Sequence, residues 1–375
     1  MASYQKRGKT WQYTVSRYID GKYRPIRKGG FRTKKEAEAE AMEVERRLKK
    51  SSGKFDVDET FADFFIDWVD LYKKKIAEVT RNSYELTHTL IKDYFRNEKM
   101  RNITPRHYQS FINEIGKTRG FESVSRIHIQ IRACVKIAVY EGLIESDFTH
   151  STELYYTTPK KKDKDKYLNY KDSKKLLSYV IDNLDRSIVN YVILLGLTSG
   201  LRYGEMMGLT RSDFDFDAGE VIVEKTWGYY QSSENPAGFG TTKNKQSVRN
   251  VALDKKTLEI FKKLFEEEEV HEENEHELVF FNPNATYKVF SNSFTNRYLK
   301  KILRKLKIKP EISIHGLRHT HASILIYKKE VTVNYISERL GHSNVTVTLD
   351  RYSHVLEELR TEDTNKARQI FANMY

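Results

Sequence analysis

The sequence predicts a multidomain chain: a small N-terminal three-stranded sheet plus helix, an all-α domain, and a mainly α domain with a small antiparallel sheet. Three observations carry this. Residues 10–33 alternate apolar and polar positions and are punctuated by Asp20-Gly21 and Gly29-Gly30, the pattern of short strands joined by tight turns. From Thr60 onward the apolar residues recur three and four apart, which is the period of a helix. A polar stretch with five lysines, TTPKKKDKDK at 157–166, then interrupts the pattern and marks the clearest interior boundary. A chain of 375 residues has room for two or three such domains.

Charge narrows the partners. The net charge is +13, and residues 1–35 hold eleven Lys or Arg against a single acid, Asp20. Such a concentration suits phosphate backbones or an anionic membrane surface. The segment has no amphipathic helix with an apolar anchor, so nucleic acid is the better partner. No apolar run approaches a bilayer span, and MASYQKRGK lacks the apolar stretch of a secretory signal. No membrane partner and a cytoplasmic location are therefore expected. One cysteine, Cys134 in IRACVKIAVY, excludes an internal disulfide framework and a thiolate metal cluster; it reads as a buried helix residue.

Taken in order, Trp11, Tyr13, Val15 and Tyr18 suit short strands. Thr33 with Glu36 three residues later caps a helix through KKEAEAEAMEVERRLKK. Arg17, Lys22, Arg24, Arg27 and Lys28 would meet phosphates or bases from the sheet face; the bland alternative is a basic subdomain that only aids solubility. SSGKFD at 51–56 reads as a linker. Phe61, Phe64, Phe65, Trp68 and Leu71 form one helical stripe, and Tyr84, Leu86, Leu90, Ile91 and Tyr94 a second over 80–96. A third helix starts after Thr104-Pro105 and a fourth covers 123–141. These stripes are read as core. Lys160, Lys161 and Lys162 would track a phosphate backbone from the linker, unless that linker is a solvated loop. The expected boundaries are 1–55, 56–156, 157–167, 168–355, and a tail of 356–375.

In the last domain a helix starts near Lys171, and a buried one through IVNYVILLGLTSG ends near Gly200. Strands are expected over 220–226 and 247–252, and WGYYQSSENPAGFG between them is longer than a tight hairpin requires. A helix at 255–269 runs into eight Glu between 266 and 277, which would repel DNA and should face away from it. The helix near 291–306 is strongly basic.

The densest chemistry lies between Ile314 and Val355, where five of the eleven histidines fall. Far upstream, Arg202 and Glu205 stand one helical turn apart and can share a face; a structural ion pair is the plain alternative. HGLRH at 315–319, LGHSNVTVTLDRY at 340–352 and GLRYGE at 200–205 resemble the signature boxes of the tyrosine recombinases, or phage-type integrases, over roughly residues 168–360. The resemblance implies a catalytic set of Arg202, Lys243, His315, Arg318, His342 and Tyr352, with Glu205 as acidic support. Lys245, two residues from Lys243, is a rival for the lysine. It also implies an N-terminal module for arm-type DNA and a SAM-like core-binding domain.

These residue types fit metal-free cleavage of a phosphodiester. Two arginines, planar and always charged, suit the nonbridging oxygens. A tyrosine can attack phosphorus and form a covalent 3′-phosphotyrosyl intermediate, while the lysine protonates the leaving 5′-oxygen as general acid. No metal or cofactor is expected. The resemblance implies a site-specific recombinase that integrates and excises a mobile element in a bacterial host, associated with the nucleoid. Its partners would be core and arm attachment sites in double-stranded DNA, a homotetramer on DNA, an excision factor and a DNA-bending host protein. The tail would form a helix from about 354 that docks on a neighbouring protomer, or else packs locally. Alternatives are a type IB topoisomerase-like enzyme and a noncatalytic sequence-specific DNA-binding protein. A metal site built from His315, His319, His321 and His342 lacks both an HExxH motif and carboxylates near 315–321.

Overall fold

The computed structural model describes residues 2–16, 18–19, 22–50, 59–228, 238–242, 245–267, 269–350, 352, 364, 368–369 and 372. Internal contacts divide the chain into residues 1–160 and 161–375. No helix among the described residues is long and apolar enough to cross a membrane.

In the first unit, β1 (Ala2–Arg7) pairs antiparallel with β2 (Thr10–Val15). Beyond a two-stranded extension of β3 (Tyr18–Ile19) and β4 (Lys22–Tyr23), β5 (Ile26–Phe31) returns to the other edge of β2. The sheet thus begins earlier than residue 10. In ASYQKR only Ala2 and Tyr4 pack toward the core, too few apolar positions to announce a strand. Tyr13 and Val15 bury one sheet face against Ala37 and Ala41 of α1 (Lys34–Lys50). At the start of α1 the Thr33 hydroxyl accepts from the Glu36 amide at 3.2 Å and the Glu36 carboxylate accepts from the Arg32 amide at 3.0 Å, so two otherwise orphaned donors are satisfied.

Four further helices follow: α2 (Phe61–Tyr72), α3 (Glu78–Phe95), α4 (Pro105–Gly116) and α5 (Phe121–Tyr140). Thr60 and Thr104 cap α2 and α4 through their hydroxyls. Phe61, Phe65, Trp68, Ile91, Phe95, Phe111 and Cys134 share one core. Two members of the expected stripes do not join it, since Leu71 is 53% and Leu86 46% exposed. The buried positions of α3 are Thr87, Ile91 and Phe95, four apart. Leu86 is one residue off that line and so about 100° around the helix. Leu71 lies in the last turn of α2, beside Tyr72, which is also exposed.

The second unit is organised around α7 (Ile188–Ser199), which follows α6 (Tyr170–Ile181). Val189, Val192, Ile193, Leu194, Leu195 and Leu197 leave α7 no polar face, and all are buried. After the short α8 (Tyr203–Met207) come β6 (Phe214–Asp215), β7 (Glu220–Val223), β8 (Lys225–Gly228), β9 (Gly238–Thr241) and β10 (Arg249–Ala252). The single strand expected over 220–226 is broken at Glu224. β7 is the middle strand of a β10-β7-β6 sheet, whereas β8 pairs with β9 as a separate hairpin. The long excursion is thus carried on a paired stem, with its tip outside the described residues. Helices α9 (Lys255–Glu267), α10 (Asn292–Lys305), α11 (Ile314–Lys328) and α12 (Val333–Leu340) complete the unit.

Candidate active site

Two glycines make the site possible. Gly200 ends α7 at φ +72° and Gly341 ends α12 at φ +63°, a left-handed turn that glycine adopts without a Cβ penalty. Each is also crowded. A Cβ on Gly200 would come within 2.7 Å of the His321 ring, and one on Gly341 within 3.0 Å of Arg249 Nη1. The chain can therefore bring two helix C-termini, with their unsatisfied carbonyls, onto a group of arginines.

Those carbonyls are used in series. Arg339 O accepts from Arg249 Nε at 2.6 Å, Leu340 O from Arg318 Nη2 at 2.6 Å, and Gly341 O from Arg202 Nη2 at 2.8 Å. Arg318 also reaches the end of α7, donating from Nη1 to Gly200 O at 2.9 Å. The negative end of a helix suits cations, and carbonyls fix a guanidinium without cancelling its charge. Glu205, the one carboxylate bonded to these arginines among the described residues, is buried. Arg202 Nη1 donates to Glu205 Oε1 at 2.7 Å and its backbone amide to Oε2 at 2.9 Å, while Arg249 Nη2 donates to Oε2 at 3.1 Å. Burial alone would raise the pKa of Glu205; Arg249 first and Arg202 next outweigh it and hold it below the ordinary value.

Among the described residues, three guanidiniums against one carboxylate leave two positive charges in a site that is closed around Arg318 and Arg249 and open at Arg202, whose side chain is 23% exposed. Arg318 bears the cost. It is 1% exposed, and burial, then the neighbouring Arg202, push its pKa down to about 9. An anion bound beside these arginines would relieve that repulsion.

The histidines sort differently. His321 is buried, and its Nε2 accepts from Arg339 Nε at 3.0 Å, so its proton sits on Nδ1 and is donated to Leu197 O at 2.9 Å. Burial, then Arg339, push its pKa down to about 3. With both ring nitrogens committed, His321 is a neutral strut between α7, α11 and α12, which removes it from any four-histidine metal set. His342 follows Gly341 and sets Nδ1 2.7 Å from the Thr348 hydroxyl. His315 and His319 stand edge to face on α11, ring centroids 4.8 Å apart. His319 Nδ1 lies 3.0 Å from the Tyr352 hydroxyl. Tyr352 is buried against Ala322, Ile326, Ile336 and Leu340. A recess of about 320 Å³ beside them is lined by His315, His319 and Tyr352, with Lys161, Lys166 and the carboxylates Asp163 and Asp165 at its edge; Lys166 pairs with Asp163 at 2.7 Å.

Of the expected residues, Arg202, Glu205 and Arg318 share the arginine cluster. His315 and Arg318 are one turn apart on α11, and the Tyr352 hydroxyl meets His319 of the same helix at 3.0 Å. Lys243 and Arg17, and the side chain of Lys22, lie outside the described residues; Lys245 is described and exposed at the start of a 3₁₀ turn. Arg24 and Arg27 are exposed, Lys28 forms an exposed ion pair with Glu40 at 2.7 Å, and Lys160, Lys161 and Lys162 are exposed. Two residues of the cluster and recess were not anticipated, Arg249 and the pairing of His319. SVRNVA held a signal for the first: Arg249 has the parity of buried Val251, so the strand turns a cation inward.

Residues 166–358 match the phage integrase family, residues 60–116 its N-terminal SAM-like domain, and residues 2–48 an arm DNA-binding domain. The chain is 25% identical over 342 residues to the ICEBs1 integrase of Bacillus subtilis (strain 168), covering 87% of this chain and 89% of that protein. It is 25% identical over 406 residues to a XerC-like tyrosine recombinase of Caldanaerobacter subterraneus subsp. tengcongensis, covering 98% of each. A Tn1549 transposon integrase in complex with circular intermediate DNA has the same fold, with a TM-score of 0.65 at 16% identity over 78% of this chain and 95% of that one. A lambda integrase dimer bound to a core site aligns at 0.54, with 18% identity over 91% of each chain.

Proposed function

The chain belongs to the phage integrase family of tyrosine recombinases, and from this premise we propose how its own residues act. Tyr352 Oη attacks a DNA phosphorus, forming a 3′-phosphotyrosyl bond as the bond to the 5′-oxygen breaks. Lys243 gives that oxygen its proton. Arg202 and Arg318 bind the nonbridging oxygens, and Glu205 aims Arg202. The phenol proton passes to a neighbouring histidine; His319 is the ring within hydrogen-bond distance of Oη, with His315 beside it. His342 supplies a further donor. Rejoining reverses these steps on a new strand, so no nucleotide cofactor is consumed.

One observation carries this reading: two cationic forks held by helix-end carbonyls, in a site with too little negative charge of its own. Such preorganised donors stabilise charge that develops in a transition state. DNA is the partner, in line with relatives solved as complexes with circular intermediate DNA and with a core site. We assign arm sequences to residues 1–55, with Arg17, Lys22, Arg24, Arg27 and Lys28, and core sequences to 56–156 and 168–355, with Lys160, Lys161 and Lys162 in the linker 157–167. The tail 356–375 joins protomers into a tetramer that integrates and excises a mobile element with an excision factor and a DNA-bending host protein, at the bacterial nucleoid.

A nicked suicide substrate tests the chemistry. The wild-type chain should yield a covalent protein–DNA adduct that survives denaturation, with or without EDTA. Tyr352→Phe should yield none while binding a core half-site as well as the wild type. An active Tyr352→Phe chain would sink the assignment.

A further inference from the structure

Arg249 has no part in the scheme above, yet it is the most enclosed of the three guanidiniums around Glu205 after Arg318. Its side chain is 8% exposed, against 23% for Arg202. Its donors turn inward: Nε to Arg339 O at 2.6 Å, Nη1 to Ser247 O at 2.7 Å and Nη2 to Glu205 Oε2 at 3.1 Å. All three of its nitrogens are committed, whereas among the described residues the guanidinium bonds of Arg202 and Arg318 run through Nη1 and Nη2 only, so Arg249 has the least to offer a phosphate. What it does is claim a carboxylate that Arg202 also uses.

The geometry raises a problem that Arg249 answers. Arg202 Nη1 sits 2.7 Å from Glu205 Oε1. Were that carboxylate left to Arg202 alone, the pair would be neutral, and Arg202 would be well aimed but electrostatically spent. With Arg249 on the other oxygen the carboxylate is shared, and Arg202 keeps most of its field. Arg249 also joins two pieces of backbone, because Ser247 precedes β10 and Arg339 lies in α12. The Ser247 hydroxyl accepts from Arg202 Nη1 at 3.1 Å, and Gly341 O, two residues beyond Arg339, accepts from Nη2. The same side chain thus offsets the carboxylate and holds the acceptors that orient Arg202.

We infer that Arg249 is a positioning residue for phosphoryl transfer: it takes up the charge of Glu205 and ties α12 to β10, so that Glu205 aims Arg202 without neutralising it. This rests on the reading of Arg202 as a phosphate ligand. Lysine cannot fill the role, since a single ammonium cannot reach Arg339 O, Ser247 O and the carboxylate in one plane.

The test compares single-turnover adduct formation on the nicked substrate for Arg249→Leu, Arg249→Lys, Glu205→Gln and the double variant Arg249→Leu/Glu205→Gln, all in the full chain. Arg249→Leu should be roughly a hundredfold slower, the scale set by removing one partner of a buried ion pair, with core half-site binding within about twofold of the wild type. Arg249→Lys should fall between the two. The double variant should recover at least about tenfold over Arg249→Leu, because removing the carboxylate charge releases Arg202. A double variant as slow as Arg249→Leu, or slower, would mean that Arg249 only supports the fold and would overturn the inference. A second measurement does not depend on the reaction: in NMR of carboxyl-labelled chain, Glu205 should titrate at higher pH in Arg249→Leu or Arg249→Lys than in the wild type, and by more than in Arg202→Leu. An unmoved titration would likewise overturn it. A wild-type chain that forms no adduct, while Glu205 still responds to Arg249, would sink the phosphotyrosyl reading and leave the charge role of Arg249 standing.

Discussion

The arginine cluster and the tyrosine recess meet at α11, through Arg318 and His319, but are built by opposite means. In the cluster, Arg202, Arg249 and Arg318 are each held by one of three consecutive carbonyls at the end of α12, and two of them by one buried carboxylate. In the recess, the Tyr352 hydroxyl has one imidazole, His319, at 3.0 Å, and the phenol body packs on aliphatic side chains. The first arrangement is rigid because each charge needs several fixed partners to stay buried at all. The second rests on apolar burial and one hydrogen bond, with no buried charge to keep satisfied. A recombinase needs both: a phosphate site organised before DNA arrives, and a nucleophile able to travel while covalently attached to it.

Replacing Arg318 by Met should separate function from stability most sharply. Adduct formation should fall about a thousandfold, the upper range for loss of one oxyanion donor. Thermal unfolding should shift little, since relief of the repulsion from Arg202 offsets the Gly200 and Leu340 carbonyls that lose their donor. A protein that loses both activity and several degrees of stability would show that the cluster is structural cement, and the contrast with the recess would fail.

The strut behind the cluster gives a smaller, pH-dependent effect. His321 is neutral in the fold with its pKa pushed down to about 3, against 6.5 for the free group. Below pH 6.5 the unfolded chain takes up a proton that the folded chain refuses, so stability is unaffected above that value and is lost as pH falls toward 3. By pH 5 the loss should be about 2 kcal/mol. Urea unfolding followed at Trp227, with Trp11 and Trp68 replaced by Phe, reads it. The slope should flatten in His321→Gln, whose amide offers one donor and one acceptor without titrating. An unchanged slope would assign the effect to another group.

The least effect is expected in the recess. His319→Phe removes one hydrogen bond to the nucleophile and should slow adduct formation about tenfold, the worth of a single such bond. A loss as large as that of Arg318→Met would show that His315 cannot take the phenol proton in its place, and would make the recess as demanding as the cluster.

Residues close in sequence carried most of what could be read without a structure. His315 and Arg318 lie three apart within α11, so helix geometry alone puts them on one face; Arg202 and Glu205 are also three apart, but Arg202 is the extended N-cap of α8 and meets Glu205 as the other half of a capping box. The alternation of residues 10–33 and the stripes after Thr60 likewise follow from backbone periods, which is why the sheet and the helices were legible, while Leu71 and Leu86 were not excluded from the core. What spacing cannot express is which distant groups share a partner. Glu205 meets Arg249 across 44 positions, Tyr352 meets His319 across 33, and Arg339 meets His321 across 18. Each pairing exists because two left-handed glycines aim helix ends at one point and because a charge, once buried there, must find every acceptor within reach. Residue types and their order determined the chemistry this chain can attempt; the packing of α7, α11, α12 and β10 decided which arginine points at a phosphate and which holds the others in place.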